Sequence, residues 1–97
     1  MKIVHCKIDL YDEYVGRPSF FGNPYTVEKH GRGKAVKMFE QMVRSMGAYR
    51  ERCKPLAGKI LACWCAPKGG VDIDGPLICH AQVLARAARG DYDEPII

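Results

Sequence analysis

Two short stretches of this 97-residue chain hold side chains that could do chemistry. "CWCAP" (63–67) sets Cys63 and Cys65 on either side of Trp64, the sole tryptophan, and "ICHAQVL" (78–84) puts Cys79 directly beside His80. Three readings fit these groups. Cys63, Cys65, Cys79 and His80 offer three sulfurs and one nitrogen, a legitimate zinc set, although ligand pairs usually stand two or more residues apart and adjacent Cys-His ligation is awkward. In the second reading Cys79 is a nucleophile. A thiol at a helix N-terminus has a lowered pKa, thiolate is the reactive form, and His80 would serve as acid, base or anion contact. The third reading is packing: Cys63 as a small core residue, Cys65 and Cys79 as helix–strand contacts, His80 as a satisfied imidazole. A dithiol redox pair fits less well, because Cys-x-Cys is not the Cys-x-x-Cys of redox helices.

A second constellation lies in "GRPSFFGNP" (16–24). Arg17 carries a planar donor fork suited to phosphate or carboxylate. Ser19 and Asn23 add polar contacts, and Gly22 lets backbone approach. The competing reading is that Pro and Gly only shape turns and Arg17 is a solvated charge. "EKHGRGK" (28–34) adds His30, Arg32 and Lys34, more often a solvated basic turn than a nucleic-acid contact.

The elements that must position these groups can be read from apolar periodicity. "KIVHCKIDL" alternates after Lys2, with Val4, Cys6, Ile8 and Leu10 on one face, and predicts a half-buried strand. A short strand through Tyr14 and Val15 follows, then breaks at Gly16, Pro18, Gly22 and Pro24. Phe20, Phe21 and Tyr25 make this an aromatic loop that should pack back onto the domain. Residues 33–52 read as one helix with Ala35, Phe39, Met42, Val43, Met46 and Tyr49 inward. "KILACWC" (59–65) is apolar on both faces, as in a central strand. Residues 66–77 read as a loop, 79–89 as a second helix stopped by Gly90, and 91–97 as a polar tail. The order predicts a small single-domain α/β sandwich over 1–97, a short central sheet with two main helices.

Composition narrows the setting. The chain is 47% hydrophobic and 27% charged, ordinary for a globular domain with one modest core. No apolar run approaches the ~20 residues of a membrane helix, so no membrane partner is expected. Five cysteines could suggest a disulfide scaffold. The count is odd, however, the N-terminus has no apolar leader, and Cys6 and Cys63 sit in strand-like runs, so a reducing cytoplasm is expected. A net charge of +4 permits a phosphate-bearing partner, nucleic acid included, without demanding one.

"VHCK" (4–7), "YVGRPSFFGNPYTV" (14–27), the helix after "GRGKAV", and "GKILACWCAP" (58–67) joined to "CHAQVL" (79–84) together resemble the family called domain of unknown function 4326. The resemblance covers about residues 3–88 and implies a phage or bacterial setting, fold relatives and a shared pocket; it implies no particular reaction. Against the family pattern, "KGGVDIDGPLI" (68–78) reads as a local insertion. Open α/β sheets bind ligands where strand C-termini meet helix N-termini, and such ends favour anions. The leading expectation is a pocket between the end of the 59–65 strand and the start of the 79–89 helix, walled by 16–24. It would take a small anionic ligand such as a nucleotide, with Arg17, Ser19, Asn23 and Cys65 binding and Cys79 with His80 carrying any chemistry, and with no cofactor. The alternative is a non-enzymatic module, zinc-stabilised through Cys63, Cys65, Cys79 and His80, that meets nucleic acid or a protein.

Overall fold

The computed structural model of the chain describes residues 2–7, 10–17, 19–25, 27–64, 66–67 and 69–93. Strands β1 (Lys2–His5), β2 (Glu13–Tyr14), β3 (Leu61–Cys63) and β4 (Val71–Asp72) form one sheet in the order β2-β3-β1-β4. β1 and β2 both run parallel to β3, and β4 runs antiparallel to β1. Helices α1 (Val27–His30), α2 (Arg32–Ser45), α3 (Gly47–Cys53) and α4 (His80–Arg89), with a 3-10 turn at Lys54–Leu56, complete the α/β domain.

Parallel strands need cover, and this sheet gets it from helices. Ile3, Val15, Leu61 and Cys63 meet Phe39 and Val43 of α2, Cys53 of α3 and Val83, Leu84 and Ala87 of α4 in one core. All of α4 except Arg86 and Arg89 is buried. Its alanines at 81, 85, 87 and 88 have no bulk to hold neighbours off, so α4 packs against β3, α2, α3 and the 3-10 turn at once. Gly90 closes it in the left-handed conformation, φ 97°, and returns its N–H to Ala87 and Arg86.

Four features depart from the sequence pattern. β1 is an interior strand, with both Ile3 and Val4 buried, and it ends at His5 while Leu10 is 94% exposed. The cause is local: the Lys7 backbone N–H donates to His5 Nδ1 at 3.1 Å, a turn bond that competes with the ladder. Ile8 and Asp9 lie outside the described residues. The helix expected over 33–52 is two helices broken at Met46. There the Arg50 guanidinium folds back to the carbonyls of Val43 and Arg44, capping the last turn of α2 with a side chain rather than another helical residue. The apolar stripe runs on through the break, which is why periodicity missed it. The polar tail starts docked: Tyr92 donates to Glu40 Oε2 at 2.9 Å, Arg44 lies over its ring, and Asp93 pairs with Lys54 and Arg50. Residues 94–97 lie outside the described residues.

The fourth departure is in 66–77. It holds β4 and the buried Ile73, so it is part of the sheet and the core rather than a simple loop. Gln82, wholly buried, ties it to α4. Its Oε1 accepts from the backbone N–H groups of Ile78 and Cys79 at 2.8 and 2.9 Å, and its Nε2 donates to the carbonyls of Asp72 and Pro76 at 3.0 and 2.9 Å. Arg86 adds donors to Ile73 O and Gly75 O. A buried helix start must have its N–H groups satisfied, and one carboxamide does this while fixing the strand beside it. Gln82→Ala should therefore cost about 2–4 kcal/mol, since it orphans buried backbone groups on both sides. Urea denaturation at neutral pH measures this, and a loss below about 1 kcal/mol would contradict it.

Candidate functional site at the C-terminal edge of the sheet

The three parallel strands finish at one edge of the sheet. Cys6 N–H bonds Cys63 O at 3.3 Å, and Val15 N–H bonds Ala62 O at 2.8 Å, so β1, β3 and β2 run out together. α4 starts there with Cys79 as its extended N-cap. Cys63 Sγ at the end of β3 and Cys79 Sγ at the start of α4 lie 2.8 Å apart. With one ring nitrogen of His80 they form a buried trio whose ligand atoms all fall within 4.8 Å of one another, a cluster that could hold a metal ion. In a tetrahedral zinc site, bonds of ~2.3 Å space two sulfurs about 3.8 Å apart, so an ion would part these two by about 1 Å.

His80 Nε2 lies 2.9 Å from Val15 O. A carbonyl only accepts, so Nε2 carries the proton and donates, which puts the lone pair of the neutral ring on Nδ1. The edge of Phe39 meets the same ring at 5.4 Å between centroids. A metal-binding histidine usually has one nitrogen bonded to a backbone oxygen and the other free for the metal, and His80 Nε2 makes the first of these bonds. It also joins the Cys-His motif to the "GRPSFFGNP" loop, because Val15 is the residue before Gly16.

The loop itself is held by close approach. A Cβ on Gly16 would come within 2.5 Å of the Tyr14 hydroxyl, and one on Gly22 within 2.7 Å of Arg17 Cγ. Glycine is required at both because the Tyr14 ring and the Arg17 stem occupy the space a side chain would need. Tyr14 donates to Arg17 O at 2.7 Å, fixing the backbone at that residue. Burial, then the nearby Cys6 thiol, raises the Tyr14 pKa, and the Trp64 side chain pulls it down. Asn23 is committed to backbone: Nδ2 donates to Ala35 O at 3.2 Å and Oδ1 accepts from Tyr25 N–H at 2.9 Å, pinning the loop to α2. Ser19 Oγ is buried with no hydrogen-bond partner among the described residues. Arg17 is exposed, and among the described residues nothing bonds its guanidinium.

The sequence-derived residues therefore divide. Cys63, Cys79 and His80 come together, and Val15, two residues before Arg17, meets them through its carbonyl. Asn23 points its amide into the fold. Cys79 and His80 are 0% and 5% exposed, so neither presents surface at the edge. Cys65 lies outside the described residues. Lys34 stands exposed on α2, and His30 packs edge-on to Tyr25. Two residues here were not foreseen. Gln82 sits three after Cys79, the N-cap-to-N3 spacing of a capping box, and that spacing could have revealed it. Tyr14 had no distinguishing signal beyond strand alternation.

Together these elements define a small α/β domain with a mixed sheet and with Cys63, Cys79 and His80 gathered where parallel strands end. The chain belongs to the family described as domain of unknown function (DUF4326), which matches residues 4–90. No curated protein and no solved structure matches it.

Burial pushes the Cys53 thiol up to about 11, with Lys54 pulling weakly the other way. At pH 8 it is almost wholly protonated and unreactive. Iodoacetamide on the native protein should label half-buried Cys6 first and spare Cys53, Cys63 and Cys79 until urea is added. Peptide mass mapping reads the order, and early labelling of Cys53 would contradict it.

Proposed function

We propose that this domain binds a small anionic, phosphate-bearing ligand at the C-terminal edge of its sheet, as a binding module whose Cys-His cluster holds the frame. The observation that carries the reading is the bond from His80 Nε2 to Val15 O, which draws the Arg17 loop to the junction of β3 and α4. Arg17 offers an exposed donor fork that no carboxylate of the described residues neutralises. Ser19 offers a buried hydroxyl that a ligand oxygen or water would satisfy. Burial argues that Cys79 and His80 position the loop rather than touch the ligand. The test is a thermal shift with inorganic phosphate and ribose 5-phosphate. Ligand at ten times Kd stabilises by about 1.4 kcal/mol, which is several degrees in a domain this small. Arg17→Gln should abolish the shift and leave the unliganded melting temperature unchanged. No shift with either probe, or an equal shift in Arg17→Gln, overturns the reading.

The buried trio favours a second reading, a structural zinc held by Cys63, Cys79 and His80 Nδ1. Cys65 is the fourth ligand the sequence offers. Such a metal would fasten strand to helix at the same edge and is compatible with ligand binding beside it. Protein purified without chelators should carry about one zinc per chain by elemental analysis. Cys63→Ser should lose it, and a dipicolinate-type chelator should lower the melting temperature. Zinc-free folded protein, equally stable with or without the chelator, removes this reading.

A further inference from the structure

We infer that Trp64 is a stacking platform for the aromatic ring of the ligand, so that the phosphate-bearing molecule recognised at this edge is a mononucleotide. The inference rests on the anion-binding reading above and specifies what else the ligand must carry.

Trp64 follows β3 directly, at the end of the central strand, yet it is 57% exposed. Its neighbours on the chain, Cys63 and Ala66, are buried. A large indole left half in water at a ligand-binding edge needs a reason, because burying it would be worth more than leaving it out. Nor is it loosely placed. The His5 ring meets it edge to face at 5.4 Å and 82°, and its side chain approaches the Tyr14 hydroxyl. A ring held in position by His5, with Lys7 over it and more than half of its surface still in water, can serve as a stacking surface.

The charges around it match a nucleotide. Lys7 Nζ sits over the indole, 5.4 Å from its centroid, where an anion attached to a stacked ring would pass. Tyr14 links the second cation: the hydroxyl that Trp64 approaches also donates to Arg17 O at 2.7 Å. An aromatic surface thus carries one basic side chain over it and connects through Tyr14 to the Arg17 backbone, suited to a base on the indole and phosphate on Lys7. Of the other exposed rings, Tyr11 is 43% and Phe20 52% exposed. Phe20 is already sandwiched, stacked on Tyr49 at 5.2 Å and capped by the Arg52 guanidinium at 4.4 Å. Single-stranded nucleic acids are bound on several aromatics in succession along a basic groove, whereas at this edge, among the described residues, only Trp64 is more than half exposed, Tyr11 being 43% exposed. A mononucleotide is therefore the better fit.

Trp64 is the only tryptophan, so fluorescence excited at its red edge reports on this residue alone. Adenosine 5′-monophosphate should quench it and bind at least tenfold tighter than ribose 5-phosphate, which carries the phosphate without a base. Trp64→Leu, followed by thermal shift, should bring the nucleotide down to the affinity of ribose 5-phosphate, and Trp64→Phe should keep most of the difference. Lys7→Gln should weaken both phosphates. Because the indole is largely exposed, Trp64→Leu should melt within a few degrees of the parent, and that melt checks that the variant is folded. Equal affinity for the two phosphates with unchanged emission overturns the platform and leaves anion binding standing. Failure of both to bind removes both. A decathymidylate bound more than tenfold tighter than the mononucleotide overturns the inference in favour of a nucleic-acid surface.

Discussion

The donation from His80 Nε2 to Val15 O is the constraint on which the candidate site depends. It crosses 65 positions of sequence and is buried. In water such a bond adds little, but in the core its absence would strand a carbonyl and an imidazole N–H together. It therefore fixes three things at once: the ring tautomer, the start of the 16–24 loop, and the direction from which α4 reaches the strands. The Phe39 ring packed against the imidazole and Gln82, two residues further along α4, keep that helix from sliding, so the bond is supported from both sides.

From that fixed point the chemistry separates into two depths. Inside are sulfur and imidazole, shielded by α2 and α4, where a metal ion or plain packing would find them. Exposed to solvent are Trp64, with Lys7 over its ring, and Arg17. Tyr14 stands between the layers: its ring covers Gly16, its hydroxyl holds Arg17, and its neighbours include Cys6 and Trp64. The inner layer meets the 16–24 loop through the bond from His80 to Val15 O. This explains how two motifs written far apart, one rich in thiols and one rich in turn formers, serve a single edge.

Much of the fold could be read in advance because local physics dominated there. α4 follows from Cys79 at its start, an apolar run and Gly90 as stop, and β3 from apolar residues on both faces, although the strand covers Leu61–Cys63 rather than 59–65 and leaves Ile60 and Trp64 exposed. Adjacent Cys-His in "CH" was enough to mark the cluster, although not its burial, because burial depends on α2 and α4 arriving from elsewhere. The failures share a cause. The break at Met46 depends on Arg50 turning back on α2, the end of β1 on His5 catching the next backbone N–H, and the place of Ile73 on Gln82 and Arg86 gripping its loop. Each is a side chain bonding backbone, and hydrophobic periodicity carries no record of such bonds. Asn23 misled for the same reason: its polar head served Ala35 and Tyr25 instead of pointing outward.

The two outermost strands of the sheet, β2 and β4, are each only two residues long. An open margin normally exposes a row of unpaired amides that can recruit a further chain, and long flat margins do so readily. Here neither side offers enough backbone for that kind of docking. The domain is thereby discouraged from growing sideways into aggregates through main-chain pairing along its flanks.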